Sequence, residues 1–173
     1  GRSGLFAEGG RLRPHKHGQQ PRHGRLARGI IRTLDVLDDA GLDHVGAYRT
    51  QEERDEDNGI VVKEINGVSI AFLNFTYGTN GIPVDDTPYG LNVYTTDYMT
   101  YCSKVDYDML DADMAAARAL ETDIIAVSVH WGGEYVTGAT QYQRDLADYF
   151  FAQGADLSSA ATRTSRSRWS CAP

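Results

Sequence analysis

Apolar positions along the chain fall into short runs whose spacing alternates between helical and extended periods. From Gly29 to Ala40, the residues Ile30, Ile31, Leu34, Val36 and Leu37 lie mostly on one face of a helix. Gly41 follows as its C-terminal cap. Leu42 to Tyr48 reads as a short strand, and the charged run from Arg49 to Asn58 as a loop. Ile60–Ile65 and Val68–Phe75 flank Asn66-Gly67, a dipeptide suited to a type I′ turn, and together predict a hairpin. Its second strand is apolar enough to be central. Thr79 to Gly90, with Pro83 and Pro88, reads as an irregular surface segment. Val105, Met109, Leu110, Met114, Ala117 and Leu120 mark an amphipathic helix. Its acids, Asp106, Asp108, Asp111 and Asp113, gather where the helix dipole favours them.

The most informative run follows. Ile124 to Val129 is apolar but for Ser128 and rich in β-branched residues, as expected of a strand buried on both faces in a parallel sheet. It ends in His130-Trp131-Gly132-Gly133-Glu134-Tyr135. A helix is expected from about Thr140 to Gln153, and Gly154-Ala155-Asp156 should begin a further strand. Helices and strands alternate without internal repeats, so the expected class is α/β with a mixed sheet.

Length and composition narrow this picture. A chain of 173 residues, 41% hydrophobic, supports one domain with a real core. Cys102 and Cys171 are too far apart to suggest a disulfide framework or a metal-ligand spacing. No apolar run approaches the ~20 residues that span a bilayer, and the charged N-terminus lacks the apolar core of a signal peptide.

Charge is distributed unevenly. The net charge is −7, yet residues 1–28 carry seven Arg or Lys against Glu8 alone, and residues 157–173 carry three Arg and no acid. The intervening 29–156 hold seven bases and 23 acids, a net of −16. Basic arms of this kind usually solvate a disordered flank or bind a polyanion. The acidity of the middle argues against a nucleic-acid surface there.

His130 is the main chemical candidate. In open α/β sheets ligands collect beyond the carboxyl ends of strands, and a histidine there can ligate a metal or move protons near neutral pH. The plainer reading is a residue that caps a loop. Glu134 in the same loop is a candidate catalytic group or a flanking charge. Trp131 and Tyr135 are candidate substrate contacts or packed aromatics. Thr76, Thr79 and Asn80 lie in a loop expected near the same edge, Asn80 being a candidate ligand contact, although Thr and Asn also form ordinary turns. His44 reads as a strand residue without a role, and Cys102 with the tyrosines between 89 and 107 as packing.

Taken together, GIIRTLDVLDDAGLDHVGA, GVSIAFLNFTYGTN, TDIIAVSVHWGGEY, and Gln143 with the helix leading to Gly154-Ala155-Asp156 resemble the CapA family, named for poly-γ-glutamate capsule biosynthesis. The resemblance covers roughly residues 29–156. It implies a metallophosphoesterase-like α/β sandwich with a mixed sheet, incomplete at both ends, and a metal-type site at the strand ends. By that likeness His130 matches the HWG histidine and is a metal ligand or general acid/base. Intact members are expected to take divalent metal ions, which commonly clamp a phosphoryl group in such sites. Capsule-polymer synthesis components or poly-γ-glutamate are the implied partners, and the cell surface or membrane the implied location of full-length relatives.

The family's Asn-Asn-His motif upstream of the first helix and its His-Pro-His motif after the last strand are absent. In their places stand HKHGQQPRHGRLARG and LSSAATRTSRSRWSCAP. Codons permitted for residues 18–24, read one nucleotide later, encode Asn-Asn-His. Residues 158–171 similarly yield His-Pro-His. This suggests that residues 1–28 and 157–173 are frame-shifted, disordered basic segments around a partial domain, with His15, His17 and His23 accidental. A chain so altered is expected to bind no metal and to be inactive. The alternatives are a metal-dependent phosphoesterase or hydrolase of another substrate, and a polyanion-binding module using the basic arms.

Overall fold

The computed structural model describes residues 25–56, 58–84, 86–132, 138–162 and 165–171. Its elements in chain order are α1 (Arg25–Asp39), α2 (Gln51–Glu56), β1 (Val61–Ile65), β2 (Val68–Thr76), α3 (Tyr107–Ala119), β3 (Ile124–His130), α4 (Gln141–Ala152), β4 (Leu157–Thr162) and β5 (Ser165–Cys171). The strands form one mixed sheet in the order β1-β2-β3-β4-β5. β2, β3 and β4 are parallel, while β1 and β5 run antiparallel to their neighbours. The expected α/β class with a mixed sheet is what the chain adopts.

Local chemistry accounts for most elements. Asn66 and Gly67 have φ of 54° and 81°, the left-handed pair that a type I′ turn requires between β1 and β2. α1 ends at Gly41, whose φ is 68°. There Leu42 N–H donates to Leu37 O and Gly41 N–H to Asp38 O, both at 2.9 Å, the paired bonds of a Schellman closure. Asp106 caps α3 by accepting from Met109 N–H. α4 opens with a reciprocal capping box between Thr140 and Gln143.

The core lies between the sheet and the two crossover helices. Ala71, Leu73 and Phe75 of β2 and Ile125, Val127 and Val129 of β3 pack with Leu110, Met114 and Ala117 of α3 and with Leu146 and Phe150 of α4. Phe75 and Phe150 stack with ring centroids 5.7 Å apart. Ala126 is buried as well, so β3 is covered on both faces, as its largely apolar run implied.

Two expectations are corrected. Leu42–Tyr48 is not a strand: it makes a single bridge, Ala47 to Leu91. Gly46, with φ of 84°, turns the chain there against Asn74. Arg49–Asn58 is not all loop, because Gln51–Glu56 form a short helix. The Thr50 hydroxyl accepts from Glu53 N–H at its start, and acids occupy the first turn. The strand expected to begin at Gly154-Ala155-Asp156 is β4, and β5 follows it. Asp156 aligns β4 with β3: its N–H donates to Ile125 O, and its carboxylate accepts from Ile125 N–H.

Candidate functional site

Parallel register determines which residues meet at the sheet's carboxyl rim. Thr76 of β2, His130 of β3 and Ala161 of β4 stand abreast. β2 and β3 bring together two residues 54 positions apart, and His130 Nδ1 lies 3.2 Å from Thr76 Oγ1. The Thr76 hydroxyl also donates to Gly78 O at 3.0 Å. Tyr77 N–H donates to His130 O at 3.0 Å, and the two rings meet edge-to-face with centroids 5.3 Å apart. The imidazole is exposed at the rim. Partial desolvation by its surroundings lowers its pKa, favouring the neutral ring.

The backbone beneath His130 is clamped from the far side of β2. Thr76 N–H donates to Asn92 O at 2.9 Å, and Tyr94 N–H donates to Thr76 O at 3.0 Å. Thr95 Oγ1 donates to Tyr77 O at 2.6 Å. Asn92 and Thr95 are buried polar residues, each 3% exposed. The Asn92 amide donates to Asn74 O and to the Tyr48 hydroxyl, which in turn donates to Gly59 O. Arg54 reaches Asn92 Oδ1 through Nε and binds both carboxylate oxygens of Asp113 at 3.0 Å. Burial is the main cause raising the Asp113 pKa, and Arg54 opposes it. None of this network was read from the sequence, where the residues around Tyr94 appeared only as packing. A buried Asn between apolar neighbours (Leu91-Asn92-Val93) was the available signal.

The other candidates separate. Trp131 turns into the core, 4% exposed, and so underpins the rim instead of presenting its indole to a ligand. Asn80 and Gly81, with φ of 53° and 75°, form a tight turn closed by Ile82 N–H to Thr79 O at 3.2 Å. Asn80 is exposed there. The Thr79 hydroxyl caps the same turn by donating to Ile82 O. Glu134 and Tyr135 lie outside the described residues, as do His15, His17 and His23. His44 pairs with Asp38 of α1 at 3.3 Å, away from the rim. The Cys102 thiol donates to Tyr98 O, and burial raises its pKa, so the neutral thiol is favoured.

Among the described residues, no group of three or more His, Cys, Asp or Glu side chains could hold a metal ion. The ring's rim neighbours are a threonine hydroxyl and a tyrosine face, so these residues do not by themselves fit a divalent-metal centre. A cleft of about 210 Å³ lies between Arg54, Leu91, Asn92, Val93 and Met109, and its lining does not include His130. No helix among the described residues is long and apolar enough to cross a membrane.

Comparison with known proteins adds what geometry alone does not. Residues 25–159 match the family described as bacterial capsule synthesis protein PGA_cap. The capsule biosynthesis protein CapA of Bacillus anthracis is 29% identical over 133 residues, 76% of this chain and 29% of that protein. The chain therefore spans about three tenths of that relative's length. With most of its length matched to the family, this chain belongs to the bacterial capsule synthesis proteins of the PGA_cap family.

Proposed function

We propose that the chain serves in the synthesis of a bacterial capsule polymer, with poly-γ-glutamate as the polymer class, at or near the cell surface. Family membership supports the capsule role, and the name of the Bacillus anthracis relative agrees with it. The observation that carries the choice of working edge is His130, exposed at the carboxyl end of the central parallel strand. A neutral imidazole in that place accepts a proton or a hydrogen bond from a bound partner. Synthesis components are the favoured partners, because a middle segment of net charge −16 repels a free polyanion.

The chain by itself is not proposed as a metal-dependent phosphoesterase. Among the described residues His130 has no companion ligands, and one imidazole alone does not hold a catalytic metal. Deletion of the gene in its own host, followed by acid hydrolysis of washed cells and quantification of surface glutamate polymer, tests the capsule role. A marked loss is expected, and an unchanged amount overturns the reading. Turnover of a generic phosphodiester by the purified chain with added divalent ions would instead support the hydrolase alternative. Sequencing the gene across codons 15–30 and 155–173 tests the frame-shift reading of the basic ends, which intact, matching frames in close relatives would refute.

A further inference from the structure

We infer that Thr76 is a positioning residue that holds His130 as its Nδ1–H tautomer and leaves Nε2 as a bare lone-pair donor at the rim. The inference rests on His130 being the working edge proposed above, and concerns which of its nitrogens faces a ligand.

The argument is a count of protons. A threonine hydroxyl has one hydrogen to give and lone pairs to receive. The Gly78 carbonyl can only accept, and at 3.0 Å it is nearer to Thr76 Oγ1 than the ring nitrogen is, so that hydrogen is assigned to it. His130 Nδ1, 3.2 Å from the same oxygen, then meets a lone pair. Two facing lone pairs repel, so Nδ1 carries the ring proton and donates it. In a neutral imidazole the other nitrogen is then unprotonated. The relay runs from His130 Nδ1–H to Thr76 Oγ1–H to Gly78 O. A partner that fixes one ring nitrogen in this way determines the chemistry of the other.

The relay is held in place at both ends. Thr76 is bonded through N–H and C=O to Asn92 and Tyr94, so its side chain leaves β2 from a fixed backbone. Tyr77 N–H binds His130 O, and the Tyr77 ring packs edge-to-face on the imidazole. Among the described residues Nε2 makes no hydrogen bond. A bare Nε2 suits an electron-pair acceptor, either a donor hydrogen of a bound partner or an electrophilic centre. A ring with Nε2 protonated would exclude the second.

Long-range proton–nitrogen correlation spectra of the 15N-labelled chain at neutral pH test this directly. The His130 signals, among five histidines, are assigned by their loss in His130→Gln. The expected result is an unprotonated, downfield Nε2 and a protonated Nδ1; the reverse pattern overturns the inference. Thr76→Val removes the acceptor and is expected to shift the ring toward the Nε2–H form, while Thr76→Ser restores the original pattern. An unchanged spectrum in a folded Thr76→Val protein refutes the role of Thr76. Should that variant not fold, Thr76→Ala takes its place, and the unaltered chain already decides the tautomer. Unchanged capsule polymer in a host carrying His130→Ala would sink the functional reading without touching the tautomer result.

Discussion

At the scale of single residues, the structure depends on a few polar groups placed where water is scarce. Asp113 is 6% exposed on α3, and its carboxylate is balanced by Arg54, 59 positions earlier on α2. Breaking such a pair from one side leaves a buried charge and costs about 3–5 kcal/mol, far more than an exposed pair would. Arg54→Met is therefore expected to lower the urea midpoint strongly at neutral pH. The sign with pH follows from the raised pKa of Asp113, caused first by burial. An acid held more protonated in the folded state favours folding below the ordinary carboxylate range, and that favour is lost as pH climbs through the folded value. Arg54→Met raises that value further, so the deficit of the variant should shrink as pH falls. Urea midpoints measured from mildly acidic to neutral pH check it, and a deficit independent of pH would assign the cost to lost packing instead. Asp113→Asn in the same background should flatten the profile.

At the scale of elements, caps and turns act where the sequence placed them. The capping box of Thr140 and Gln143 satisfies two otherwise unpaired N–H groups at the start of α4. Thr140→Ala should cost about 1 kcal/mol, with Thr140→Ser recovering most of it; chemical denaturation of the two variants measures the difference. A partner three or four residues away is legible in principle; the capping box was not read that way, whereas the Gly41 cap was. The hairpin was legible for the same reason, Asn66 and Gly67 supplying the positive φ angles on their own. α2 was missed because its six residues carry no apolar face and none is buried. Its one sequence sign was the Thr50 cap. The apparent strand before it failed for a related reason. Leu42 to Tyr48 has strand-like residues, but Gly46 leaves the extended region, and an added Cβ there would come within 2.7 Å of the Asn74 backbone oxygen.

At the scale of the whole molecule, one apolar layer joins the sheet to α3 and α4, and Phe150 is its keystone. Its ring is fully buried, stacks on Phe75 of β2 and meets Tyr149 edge-on. Phe150→Ala should cost about 3–5 kcal/mol through lost burial and the cavity left behind. Because β2 and α4 share that contact, near- and far-ultraviolet signals should fall in one transition at a lower temperature. Separate transitions would show that the helix layer and the sheet melt independently. Charge is also a property of the whole chain. If the basic ends bind polyanions, filter binding to nucleic acid will weaken steeply with added salt. The acidic middle predicts little binding that survives physiological salt.

The sequence by itself determined the α/β class, the buried strand from Ile124, the hairpin, the amphipathic helices with the Gly41 cap, and His130 at a strand end. Each is written in neighbouring residues: a run of β-branched side chains, a dipeptide of set φ, a glycine just past a helical run. Only the tertiary structure decided that Thr76 meets His130, that Asn92 clamps β2, that Arg54 balances Asp113, and that Trp131 faces inward. Those pairings join residues dozens of positions apart through strand register and helix docking. Register depends on how a complete face packs, so no local pattern carries it.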